Sequence, residues 1–144
     1  MKKFLGIMIV SLLFSNIALA KNCTEKEEQY AIEDSKIYGD KRTYKAEEAY
    51  NVGQEIVNIF KAKDIEKLIS MFDGELKEGP LLSYFKNKTF DEVFKQDFQD
   101  LIVNSKINCN IASSNLGFTL GNTLLWFDKS KDNRWVIRRI HYEP

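Results

Sequence analysis

The chain has one histidine and two cysteines in 144 residues. A single histidine excludes the paired-histidine helix motif of metallohydrolases. Two cysteines without Cys-x-x-Cys spacing argue against a redox or metal pair. A Gly-rich phosphate loop and a nucleophile elbow are also missing. So is any basic excess, because Lys plus Arg and Asp plus Glu both number 21. That balance argues against general binding to nucleic acid or to an anionic membrane. Beyond the N-terminus no run is long and apolar enough to span a bilayer. There is no repeat, low-complexity tract or domain linker. No cofactor and no metal is expected, and the reading leans away from an enzyme.

What is present begins with an address. Lys2 and Lys3 precede an apolar stretch from Phe4 to Phe14, and Ala18-Leu19-Ala20 offers a small-residue cleavage site. This is the pattern of a secretory signal peptide over residues 1–20. An uncleaved anchor is the rival, but the apolar stretch is short of the roughly 20 residues a span needs. Residues 21–144 then form one domain, slightly acidic, in a bacterial periplasm or secreted, and free of the membrane after cleavage. In an oxidising compartment Cys23 and Cys109 are expected to form a disulfide. Closing so long a loop is worth about 4 kcal/mol on the chain-entropy model. It would pin the N-terminus to the domain.

Helices come first. Thr24 and Glu27 form a capping box for a polar surface helix reaching about Tyr38, with a thin apolar face of Tyr30, Ala31 and Ile37. Thr43 can cap a helix from Tyr44 to Lys63 that buries Ala49, Val52, Ile56, Ile59 and Phe60. Asp64 can cap a third, with Ile65, Leu68, Ile69 and Phe72 inward, stopped at Asp73-Gly74. Gly79-Pro80 opens a turn or short helix. A second capping box, Thr89 with Glu92, starts one long amphipathic helix through Phe90, Val93, Phe94, Phe98, Leu101 and Ile102.

Strand-like sequence follows residue 105. Ile107 to Ile111 reads as a short strand carrying Cys109. Residues 117–120 and 123–127 flank Gly121-Asn122, a dipeptide suited to a tight hairpin. Asp128 to Asn133 reads as a polar loop and Arg134 to Tyr142 as the last strand. Strict alternation there splits Trp135 and Ile137 from Ile140 and Tyr142. A bulge at Arg138-Arg139 would place all four on one face, and a half-buried edge strand is the alternative. The order implies a single α+β domain, N-terminal helices packed on a C-terminal curved antiparallel sheet.

Five groups of residues invite chemistry, each with a plainer reading. His141 could be a base or ligand, or a polar residue near a strand end. Asp73, Glu75 and Glu78 flank a glycine but do not follow a calcium-loop spacing, so a solvated turn is preferred. Asp91, Glu92, Asp97 and Asp100 could do acid–base work or form the wet face of a helix. Lys129, Lys131, Arg134, Arg138 and Arg139 could meet an acidic partner or guard a strand edge. Trp126 and Trp135 could line a pocket mouth or fill the core. Trp126, Arg138, Arg139 and His141 are the candidate binding residues.

The stretch Glu55 to Leu68, a helix with an Asp break and a second helix, resembles the opening of an NTF2-like domain. Arg134-Trp135-Val136-Ile137 resembles that family's final strand. Gly79-Pro80, Phe90 to Phe94, Cys109 and the run from Gly117 to Phe127 look similar to small exported bacterial proteins of unassigned function. The NTF2-like resemblance implies a cone-shaped roll with a pocket between helices and sheet, and includes enzymes and non-enzymes. The expectation is a non-enzymatic exported binding protein, monomeric or a small homo-oligomer, recognising a protein or small molecule. An inhibitor or immunity protein is a special case. The alternative is an NTF2-like small-molecule binder or enzyme with that pocket.

Overall fold

A computed structural model describes residues 21–37, 43–112 and 117–142. The expected signal peptide over residues 1–20 and the expected helix stop at Gly39-Asp40 lie outside them. The chain folds as a single α+β domain, mostly helical in its first part and closed by a three-stranded antiparallel sheet.

Helix α1 spans Glu25–Ile37. Its start carries the expected capping box, Glu27 accepting from Thr24 N at 2.7 Å and Thr24 Oγ1 accepting from Glu27 N at 3.2 Å. Its buried contact is Ala31, whereas Tyr30 is exposed and so does not join the apolar face. Helix α2 runs Ala46–Ala62, and Lys45 rather than Thr43 is its N-cap. The difference has a cause in α1. Glu28 accepts from Ala46 N at 2.9 Å and Glu47 N at 2.7 Å, taking the role the sequence assigned to Thr43. Tyr44 is left extended and buried, its ring against Phe118 and Trp135. Glu47 in turn accepts from the main chain of Asn22 and Cys23. Glu28 of α1 therefore caps α2, and Glu47 of α2 ties down the chain just before α1.

Helix α3, Ile65–Ser70, has Asp64 as its cap, accepting from Lys67 N at 3.0 Å. Residues 71–79 then run beside the sheet, and after Pro80 a single turn, α4, spans Leu82–Phe85. The long helix expected from Thr89 is two helices, α5 at Phe90–Val93 and α6 at Gln96–Val103. Phe94 and Lys95 between them are extended. The Gln99 side chain, itself buried, offsets the broken helical ladder by donating to Phe94 O at 2.7 Å. The break lets Phe90, Val93, Phe94 and Phe98 all bury, which one straight stripe would not orient as well.

The segment expected as a strand at Ile107 to Ile111 is irregular. Ile107 packs against α2 where Gly53 leaves a notch, and a Cβ there would lie 2.9 Å from Ile107 Cγ2. Cys109 is tied to Cys23, with Cα atoms 5.6 Å apart. Packing and the disulfide hold this segment, so it has no need of a strand partner.

Strands β1 (Phe118–Leu120), β2 (Leu125–Lys129) and β3 (Trp135–Ile140) form the sheet in that order. The turn between β1 and β2 is four residues, Gly121 to Leu124, because Leu120 pairs with Leu125. Strand β2 also runs further than expected. Asp128 and Lys129 are buried strand residues, and the loop begins at Ser130. Pairing of β2 with β3 steps from Trp126↔Arg139 to Phe127↔Ile137, which leaves Arg138 as the extra residue. This is the bulge at Arg138-Arg139, and it puts Trp135, Ile137, Ile140 and Tyr142 against the core.

Aromatic rings fill the space between helices and sheet. Phe94 lies within 5.0–6.1 Å, centre to centre, of Phe60, Phe85, Phe90, Phe98 and Tyr142. Phe118, Phe127, Trp135 and Tyr44 form a second group under β1 and β2.

Candidate functional site

Residues 71–79 occupy the outer edge of β3. Ile137 N donates to Met71 O, Lys77 N to Arg138 O and Ile140 N to Glu78 O, at 2.8, 2.8 and 3.0 Å. The acidic residues of this strap are engaged rather than loosely solvated. Asp73 pairs with Arg134 at 3.1 Å, and Glu75 accepts from Leu82 N at 2.6 Å. Glu78 holds Arg139 at 2.6 Å on one oxygen and His141 Nε2 at 3.1 Å on the other.

The candidate binding residues therefore separate. Arg139 and His141 meet on Glu78, beside a cavity of about 420 Å³ lined by Glu78, Gly79, Ile140, His141 and Tyr142. Arg138 turns to Lys129 O at 3.0 Å. Trp126 is buried, and its indole N–H donates to Thr123 O at 2.8 Å. These contacts bind the sheet to its strap and its turn. The basic C-terminal hairpin is thus partly neutralised by the strap carboxylates.

Among the described residues one set of possible metal-ligand atoms converges within 4.8 Å, those of Cys23, Glu27 and Cys109. The donor set does not fit a metal, since both sulfurs are consumed in the disulfide. The Glu27 carboxylate is taken by Thr24, whose hydrogen bonds hold its pKa below the ordinary carboxylate value.

A different site lies between α6 and the β1–β2 turn. A cavity of about 700 Å³ opens there. One wall is the α6 face of Asp97, Asp100, Leu101 and Asn104, and the other is Thr119, Leu120 and the turn. Leu101 does not join the buried stripe of Phe98 and Ile102, and it is 47 % exposed. The turn is firmly held. Ser105 Oγ donates to Leu101 O and accepts from Gly121 N at 2.6 Å. His141 N donates to Leu124 O at 2.7 Å. Three consecutive residues, Gly121, Asn122 and Thr123, have φ of 59°, 53° and 74°. Such a conformation suits Gly and Asn, but it strains the β-branched Thr123.

The same wall carries β1, the outer strand of the sheet among the described residues. The bond from His141 N to Leu124 O brackets Leu125 and Ile140 as a pair without mutual hydrogen bonds. The main chain of Leu125 therefore faces β1 and bonds Leu120. By alternation, Gly117, Thr119 and Gly121 direct their N–H and C=O away from β2. Gly117 O accepts from Ala112 N, and Gly121 N is held by Ser105. Between them, no described residue hydrogen-bonds the outward main-chain groups of Thr119.

Sequence reasoning placed Asp97 and Asp100 on a wet helix face and Leu101 in the core, and it gave Thr119, Asn122 and Thr123 no binding role. The one available signal was Leu101, which falls off the Phe98–Ile102 stripe once α6 is read as a separate helix. No family model matches the chain, and neither the curated proteins nor the solved structures return a match.

Proposed function

We propose that this is an exported, disulfide-stapled binding protein that recognises a partner protein through the groove between α6 and the β1–β2 turn. One observation carries the reading. The space between helices and sheet, where the alternative places a ligand pocket, is packed with rings, while a cavity of about 700 Å³ opens at the surface. That volume is in the range of ligand sites. A half-exposed leucine between polar residues resembles the mixed composition of protein interfaces. The Cys23–Cys109 bond supports a compartment outside the cytoplasm. Among the described residues no helix is long and apolar enough to cross a membrane.

The test is affinity capture from periplasmic extract with oxidised residues 21–144, followed by mass spectrometry of proteins and metabolites. A stoichiometric protein that is lost with Leu101→Glu is the expected result. A bound metabolite without any protein would overturn the reading in favour of a small-molecule binder or enzyme.

A further inference from the structure

One wall of the groove is a sheet edge on which no described residue pairs the outward main chain of Thr119, and that narrows what the groove can take. The opposite edge of the sheet is filled by the strap at residues 71–79. On β1, Ala112 and Ser105 close the flanking positions, and Thr119 between them presents a donor and an acceptor side by side. An extended peptide can bond both, adding a strand to the sheet. The facing wall carries Asp97 and Asp100 one helical turn apart, with Leu101 beside them, and Lys106 also lines the groove. The walls thus hold two carboxylates and one ammonium.

We propose that an extended, basic segment of a partner protein docks in this groove as a fourth strand beside β1. Its main chain exchanges two hydrogen bonds with Thr119. A Lys or Arg side chain reaches Asp97 and Asp100, and an apolar side chain covers Leu101. The inference rests on the partner-binding reading and adds the chemistry of the partner. A second copy of this chain is disfavoured as occupant, because pairing β1 with β1 would bring two sets of Asp97 and Asp100 together. The anchored turn presents this edge ready formed, which lowers the ordering cost of binding.

The probe is a labelled pentapeptide, acetyl-Arg-Val-Leu-Val-Arg-amide, titrated into oxidised residues 21–144, with acetyl-Glu-Val-Leu-Val-Glu-amide as counterpart. The basic peptide is expected to bind at least tenfold more tightly and to shift the Thr119 amide resonance. Asp97→Asn with Asp100→Asn should remove that preference. Thr119→Pro deletes the outward N–H and is sterically at home on an edge strand. It should weaken binding at least tenfold while the circular dichroism stays unchanged. Should Thr119→Pro disturb the fold, hydrogen exchange at Thr119 in the unmodified protein decides, since added protection with saturating basic peptide is expected. Equal affinity for the two peptides, or a Thr119 amide indifferent to saturation, would overturn the proposal. So would a dimer in solution that Thr119→Pro dissolves, which would make the occupant a second copy. A captured protein that survives both the Asp97/Asp100 and Thr119 variants would leave the partner reading intact and remove this site. Peptide selectivity without any captured protein would do the reverse.

Discussion

Removing the Cys23–Cys109 bond, by reduction or as the double variant Cys23→Ser with Cys109→Ser, should cost the domain a large fraction of its stability. The bonded residues are 86 apart in sequence. Between them lie all six helices, α1 to α6. On the chain-entropy model a loop of that length constrains the unfolded state by about 4.6 kcal/mol. A domain of this size holds about 5–15 kcal/mol in all. The folded state itself should change little. Without the sulfur bridge, Glu47 still holds the main chain of Asn22 and Cys23, and Glu28 still caps α2. The expected loss therefore acts through the unfolded chain and not through fraying of α1.

Those two routes give different results in one experiment. Urea unfolding followed by the fluorescence of Trp126 and Trp135 reports on the sheet, far in sequence from Cys23. A cross-link acting on the unfolded state predicts a midpoint lower by about 2 M in the reduced protein, for a slope of about 2 kcal/mol per molar. It also predicts a steeper slope, because the freed chain exposes more surface. A loss under about 1 kcal/mol with an unchanged slope would refute the reasoning. It would mean that residues 21–37 are a passenger on a domain that does not need them.

Gln99→Leu should destabilise by about 1–3 kcal/mol, because it leaves Phe94 O without the donor that spans the α5–α6 break. Thermal unfolding checks this, and a neutral result would mean that Phe94 O finds another partner. Thr123→Gly should stabilise by about 1 kcal/mol, relief of a β-branched side chain at φ 74° exceeding the entropy that glycine adds to the unfolded chain. Asn122→Gly is the control and should gain less, since Asn tolerates this conformation. Stability should fall on acidification. Hydrogen bonds from Thr24, from Asn22, from Lys63 and Gln99, and from Thr89 hold Glu27, Glu47, Asp91 and Glu92 below their ordinary pKa values. A carboxyl depressed in the folded state contributes above its unfolded pKa and loses that contribution as pH falls through its folded value. Urea midpoints should thus be level from neutrality to about pH 5 and decline below about pH 4, less steeply in Glu47→Gln.

Much of the architecture could be read from side-chain periodicity. The capping boxes at Thr24 and Thr89 and the cap at Asp64 stand where expected, because each depends on residues three apart in one helix. The bulge followed from a conflict that alternation could not otherwise resolve. Failures share one cause: the deciding partner lies elsewhere in the chain. Thr43 loses its role to Glu28, on another helix. Phe94 leaves its helix because Gln99 supplies the missing donor. Ile107 to Ile111 has the composition of a strand, yet Gly53 and Cys23 claim Ile107 and Cys109 first.

The proposed groove was harder to read for a further reason: the groups on which the proposal rests belong to the main chain. Side-chain pattern reports which face of a strand is buried, and a slip of one residue would reverse it. A slip of two reverses nothing. A two-residue turn at Gly121-Asn122 would pair Leu120 with Thr123, keeping Phe118, Leu120, Leu125 and Phe127 on the same face. The observed pairing of Leu120 with Leu125 does the same. Apolar alternation is silent between the two, and turn chemistry favours the shorter. What selects the longer turn are bonds from other parts of the sheet, Trp126 holding Thr123 O and His141 holding Leu124 O. Those bonds place Asn122 and the strained Thr123 on the rim and set Thr119 opposite Trp126. Trp126 and His141, singled out as candidate binding residues, thus hold the turn that rims the proposed groove. Each holds a carbonyl of the turn, beside which no described residue pairs the outward main chain of Thr119.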